Sequence, residues 1–117
     1  MSKQLVPTQK ARPKPKLFLG GSRDGFVMKS YYKKYLDGGH LVICPNLVYL
    51  GMQRTKDIDT DIILQDCLSN LSICTKAVFI IDQFTDIDSV FIACEIKYCK
   101  NYNIPYTVIE VEIKINQ

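Results

Sequence analysis

At 117 residues and 13.4 kDa the chain has room for one domain built on one hydrophobic core. Hydrophobic residues make up 47% and charged residues 23%, which suits a globular body, and no apolar run approaches the roughly 18 residues that cross a bilayer, so a membrane-spanning helix is excluded. The formal charge of +3 is unevenly placed: Lys3, Lys10, Arg12, Lys14 and Lys16 meet no acid, and the remainder holds ten basic against 12 acidic residues, so the body is not expected to offer a broad nucleic-acid surface.

Residues 1–15 hold Pro7, Pro13 and Pro15 among polar and basic residues. That composition cannot bury a core, and a disordered basic tail is expected there, with no apolar h-region of a secretory signal. The domain is expected over 16–117. Leu17-Phe18-Leu19 running into Gly20-Gly21-Ser22 reads as a first strand and its turn. Phe26 to Leu36 is helical by spacing, with Val27, Tyr31 and Tyr35 on one stripe, Ser22 or Asp24 as N-cap and Gly38-Gly39 as a stop.

A second strand is expected at His40 to Cys44, and Pro45 to Lys56 is read as loop. Apolar residues recur at three and four from Ile58 through Leu71, which predicts a helix from Asp57 to about Cys74 capped by Asp57. Ala77 to Ile81 is a continuous apolar run ending at Asp82, the pattern of a central strand covered on both faces. Ser89 to Lys100 predicts another helix, capped by Asp88 or Ser89, and Pro105 to Val111 a last strand. Alternation of strand and helix favours right-handed parallel crossovers, hence an α/β flavodoxin-like three-layer sandwich with a mainly parallel sheet of four to five strands. Ligands bind such sheets at the carboxyl ends of the strands, which brings Gly20–Gly25 and Asp82–Ser89 to one rim.

The five cysteines are irregularly spaced with no CxxC pair, and they read as the buried, reduced thiols of a cytoplasmic protein rather than as a disulfide framework or zinc knuckle. His40 is the only histidine, which leaves little from which to build a catalytic triad or a histidine metal site, and no metal or organic cofactor is expected. Gly20-Gly21-Ser22-Arg23-Asp24-Gly25 offers either a plain turn or a cradle of amides, hydroxyl and guanidinium for a phosphate. Asp82, Asp86, Asp88 and Ser89 are either caps and solvated acids or site residues. Glu95 is the lone charge of Val90 to Ile96 and shares a helical face with Phe91, Ile92 and Cys99. A carboxylate facing apolar surroundings needs a reason.

The Gly-Ser turn after an apolar strand, the acid-rich loop after another, and Ser89 followed six residues later by Glu95 in Ala-Cys-Glu-Ile-Lys-Tyr together resemble the nucleoside 2-deoxyribosyltransferase superfamily. That superfamily includes the 2'-deoxynucleoside 5'-phosphate N-hydrolases. The resemblance implies cleavage or transfer of the N-glycosidic bond of a nucleoside monophosphate, with Glu95 as nucleophile and Asp82 in the catalytic group. It also implies that Phe18, Gly21, Ser22, Arg23, Asp86, Asp88 and Ser89 surround sugar and phosphate, and that the chain is a homodimer. Phe18 departs from a usual tyrosine whose hydroxyl orients the nucleophile, and Phe91 and Ile92 replace usual glycines. These departures keep a second reading beside the first, that of a non-catalytic module binding a nucleotide or an ADP-ribose-like ligand. A third is an interaction protein that uses its basic tail.

Overall fold

A computed structural model describes residues 13–51 and 59–115. In chain order it holds β1 (Lys16–Gly21), α1 (Gly25–Asp37), β2 (Leu41–Ile43), α2 (Pro45–Gly51), α3 (Thr60–Ser72), β3 (Lys76–Ile81), α4 (Val90–Asn101) and β4 (Tyr106–Glu110). The strands form one all-parallel sheet in the order β2-β1-β3-β4. The strand order reverses direction at β1, so the chain first moves to one side of β1 and then to the other. Right-handed crossovers therefore put α1 on one face and α3 and α4 on the opposite face.

The two cores follow from this arrangement. Leu17 and Leu19 of β1 join Val78 and Ile80 of β3 under Met28 of α1, with Tyr31 and Tyr35 packed at the margin. Phe18 points to the other face, where it packs with Phe79, Leu71 of α3 and Cys99 of α4. Period-two alternation along β1 and β3 thus feeds both layers, which is why their sequences are apolar throughout. The flavodoxin-like sandwich expected from the sequence is the observed fold, with four strands, and β3 sits centrally as expected.

Local signals set most element ends. The Asp24 side chain accepts from the Val27 N–H and caps α1, and Ser89 accepts from the Ile92 N–H at the start of α4. Asp59, rather than Asp57, caps α3 by accepting from the Asp61 N–H. Asp57 and Ile58, with the expected first turn of that helix, lie outside the described residues. The loop expected from Pro45 is corrected in its first part: Pro45–Gly51 is helical. Proline at the first helical position loses no bond and is already turned for a helix, and the Leu47 N–H closes on the Cys44 carbonyl at 3.2 Å. Of the expected tail, residues 1–12 lie outside the described residues, while the Pro15 carbonyl accepts from the Leu41 N–H at 2.9 Å and so already belongs to the sheet edge. Among the described residues no helix is long and apolar enough to cross a membrane.

Candidate active site at the carboxyl ends of β1 and β3

A cavity of about 900 Å³ opens where β1 and β3 give way to their loops. Its walls come from the loop after β1 (Gly21, Arg23, Asp24), the loop after β3 (Asp82, Phe84, Asp86) and α4 (Ser89, Phe91, Glu95), with α2 and α3 opposite. The two loops expected to share a rim do so, and they are tied together. The wholly buried Ser22 hydroxyl donates a hydrogen bond to Asp82 Oδ2 and accepts from the Asp24 N–H at 3.1 Å, while the Ser22 N–H donates to the Ile80 carbonyl at 2.7 Å.

That close approach explains Gly21. Its φ is +103°, and a Cβ there would lie 2.2 Å from the Ile80 carbonyl oxygen. Only glycine lets the turn press against β3 in this way.

Two of the carboxyl groups that line the cavity are shifted in opposite directions. Burial pushes Asp82 upward, but hydrogen bonds from Ser22, Phe84 and Thr85 outweigh it and hold the group below its ordinary value. Asp82 Oδ1 accepts from the Phe84 N–H at 2.7 Å, so both oxygens are engaged and the carboxylate anchors the loop. Glu95 is 5% exposed, and no described residue hydrogen-bonds its carboxyl group. Burial alone pushes it up to about 8. Environments that separate two neighbouring carboxyl groups in this way are how a site obtains an ionised and a protonated acid at one pH.

The residues picked out in the sequence divide as follows. Gly21, Arg23, Asp82, Asp86, Ser89 and Glu95 line the cavity together, and Arg23 is the one cation among the described lining residues. Phe91 and Ile92 line it as well. Ser22 lies behind the wall with its hydroxyl engaged by Asp82 and Asp24, so its observed part is to hold the loops rather than to face the cavity. Phe18 is 1% exposed and packs against Phe79 with ring centroids 6.1 Å apart, away from the lining. Asp88 is exposed and borders a separate shallow depression, its N–H donating to Asp86 Oδ1.

Several lining residues were not anticipated. Asn46, in the first turn of α2, donates from Nδ2 to the Gly21 and Ser22 carbonyls, both at 3.0 Å, and so holds the β1 loop from the other side. Tyr49 donates to Asp66 Oδ2 at 2.9 Å and links α2 to α3 beside the cavity. Pro45 was the available signal for this helix, since proline favours the first helical position. Ile113 reaches the lining because the Gln83 side chain pairs with its backbone, accepting from the N–H at 2.9 Å and donating to the carbonyl at 2.6 Å. No periodicity announces such a long-range contact. Among the described residues, no group of His, Cys, Asp and Glu side chains could hold a metal ion.

No protein-family model matches the chain, and no curated protein matches it. A solved structure of a 2-deoxyribosyltransferase from the psychrotolerant bacterium Bacillus psychrosaccharolyticus shares its fold, with a TM-score of 0.59 at 15% identity over 87% of this chain and 77% of that one.

Proposed function

We propose that this chain breaks or transfers the N-glycosidic bond of a nucleoside monophosphate, with Glu95 as nucleophile. One observation carries the reading: a buried carboxyl group, free of described hydrogen-bond partners, opens into a cavity of about 900 Å³ at the strand ends, where parallel sheets bind their ligands. The shared fold with a 2-deoxyribosyltransferase agrees with it.

In the proposed reaction a Glu95 carboxylate oxygen attacks the anomeric carbon. The carbon–nitrogen bond breaks, and the base leaves with the electron pair and takes a proton from solvent. The resulting glycosyl ester is opened by water or by a second base, so one difficult displacement becomes two easier ones. Arg23 and Ser89 both face the cavity, and a guanidinium with a hydroxyl at the amino end of α4 suits a 5'-phosphate. Asp82, fixed by Ser22 and Phe84, keeps the β3 loop in place under the sugar and takes no bond-making part.

Incubation with common nucleosides and nucleoside monophosphates, with chromatography of the free bases, tests the reading. Glu95→Gln should abolish base release and leave ligand binding within about tenfold, roughly 1.4 kcal/mol. Arg23→Ala or Ser89→Ala should weaken monophosphates relative to free nucleosides by about 1.5 to 3 kcal/mol. Base release that survives Glu95→Gln overturns the assignment.

A second reading rests on a specific feature: no described residue orients the Glu95 carboxyl group by a hydrogen bond, and Phe18 supplies no hydroxyl. A protein that binds nucleotides or ADP-ribose-like ligands without turning them over fits that arrangement. Phosphate-dependent thermal stabilisation without base release from any nucleotide distinguishes it.

A further inference from the structure

The fold sorts the charges of the body by sign along the sheet. The strands run parallel and the helices return against them, so β1 and β3 begin, and α1 and α4 finish, at the end opposite the cavity. Lys14 precedes β1, Lys16 and Lys76 are the first residues of β1 and β3, and Lys34 and Lys100 stand in the last turns of α1 and α4. Among the described residues the one acid at this end is Asp37, and Lys33 holds it at 2.6 Å, so those other lysines are left without an ion pair. At the cavity end Asp24, Asp59, Asp82, Asp86 and Glu110 outnumber Arg23 and Lys114. Helix chemistry accounts for part of the separation, since acids cap helix starts and lysines favour last turns. Lys14, Lys16 and Lys76 lie outside helices and have no such reason to gather here.

Apolar side chains are exposed among these lysines. Leu36 in the last turn of α1 and Leu41 at the start of β2 are joined by Ile73, which caps α3 and is 52% exposed, and by Tyr102, which caps α4 and is 65% exposed. Four elements thus bring exposed apolar groups to one positively charged end.

We infer that this end is a docking surface for an anionic membrane, with the lysines on the lipid headgroups and Leu36, Leu41, Ile73 and Tyr102 entering the interface. Charge complementarity gives the attraction, and lysine, a hydrated point charge on a flexible stem, suits the diffuse field of such a surface. Exposed aliphatic side chains beside lysines gain from the headgroup and acyl boundary, and a tyrosine is at home there. A nucleic acid would instead call for arginine forks and open aromatic platforms. No described arginine stands at this end, and Tyr102 already packs on Tyr98 with ring centroids 4.4 Å apart. Lys3, Lys10 and Arg12, joined to the body through Pro13, carry the same sign, so charge favours them as a further attraction and not as a cover. The contact is peripheral and needs no spanning helix. It lies at the far end of the sheet from the cavity and does not depend on the reaction proposed there.

Co-sedimentation of the full chain with vesicles of phosphatidylcholine alone, or with about 30% phosphatidylserine added, tests the surface. The expected result is binding to the anionic vesicles only, falling as salt rises from about 0.05 to 0.3 M. Lys14→Glu with Lys100→Glu should weaken that binding by about tenfold or more, and Leu36→Ser with Ile73→Ser should do so too, both with unchanged circular dichroism. The chain has no tryptophan, so Ile73→Trp supplies a single reporter whose emission should shift to the blue on anionic vesicles. An unshifted emission from bound protein overturns the entry of the apolar side chains. Binding to single-stranded RNA without binding to vesicles overturns the inference in favour of a nucleic-acid partner, and no binding to anionic vesicles at low salt overturns it outright. Vesicle binding that both pairs of changes leave intact overturns it in favour of a different face.

Discussion

Glu95 shows how one side chain couples folding to chemistry. Its carboxyl group is pushed up to about 8 by burial, while in the unfolded chain it titrates near its ordinary value of 4.5. Between those values the folded state holds a proton that the unfolded state has released, so stability contributed by this group is full below about pH 4.5 and falls as pH rises toward 8. Within that window each pH unit removes up to about 1.4 kcal/mol. Glu95→Gln should flatten this decline, and denaturation of both proteins from pH 4 to 9 should show curves that diverge as pH rises; parallel curves would contradict the buried acid. Asp82 has the opposite sign. Its folded-state value is depressed, so its stabilisation is present above the ordinary carboxylate range and is lost as pH falls through the depressed value. The same titration governs catalysis if Glu95 is the nucleophile: kcat/KM should rise with pH through about 8, because only the ionised group attacks.

At the scale of elements, α2 decides the shape of the site. It places Asn46 against the β1 loop and Tyr49 against Asp66 of α3, so one short helix braces two walls of the cavity. The Gly21 and Ser22 carbonyls would lose a donor in Asn46→Ala, a cost of about 1 to 3 kcal/mol for partly buried acceptors. Chemical denaturation should show that loss, and Asn46→Ser, with a shorter donor, should recover part of it. Equal stability in all three proteins would mean that water replaces the amide at no cost. The β1 loop itself is held by features of different origin, the glycine that lets it approach β3 and the serine that binds Asp82. Both loops therefore keep their relation to Glu95 only while β1 and β3 remain paired.

For the whole molecule the two cores share one sheet, since alternate residues of β1 and β3 enter opposite layers. Loss of packing on either face should weaken the other. Leu19→Ala on the α1 face and Leu71→Ala on the α3 and α4 face should each cost about 2 to 5 kcal/mol, both sites being wholly buried. Unfolding should remain a single cooperative transition in both variants, seen equally by tyrosine fluorescence and far-ultraviolet circular dichroism. Separate transitions for the two probes would show that the layers fold independently. The same sharing accounts for the position of the cavity, because the crossovers leave opposite faces at β1 and open a crevice at the strand ends.

Much of this was legible in the sequence because it rests on local rules. The apolar run Ala77 to Ile81 is nearly the whole of β3, and Asp24 and Ser89 cap the helices that follow them. The isolated acid Glu95 among apolar neighbours was visible as an anomaly, and the fold buries it at the cavity. What the sequence left open depends on contacts between distant residues. Ser22 offered a hydroxyl for a ligand, and only the approach of Asp82, sixty residues away, engages it inside the protein. Phe18 stood near the expected site by position, yet strand alternation turns its ring into the core. The α2 segment carries too little periodicity in seven residues to be told from a loop, and its brace on Gly21 exists only once the sheet has brought the two segments together. Composition and spacing report which surfaces a segment must bury; which polar groups then find each other is decided by the tertiary packing, because a hydrogen bond is worth little until the fold removes the water competing for it.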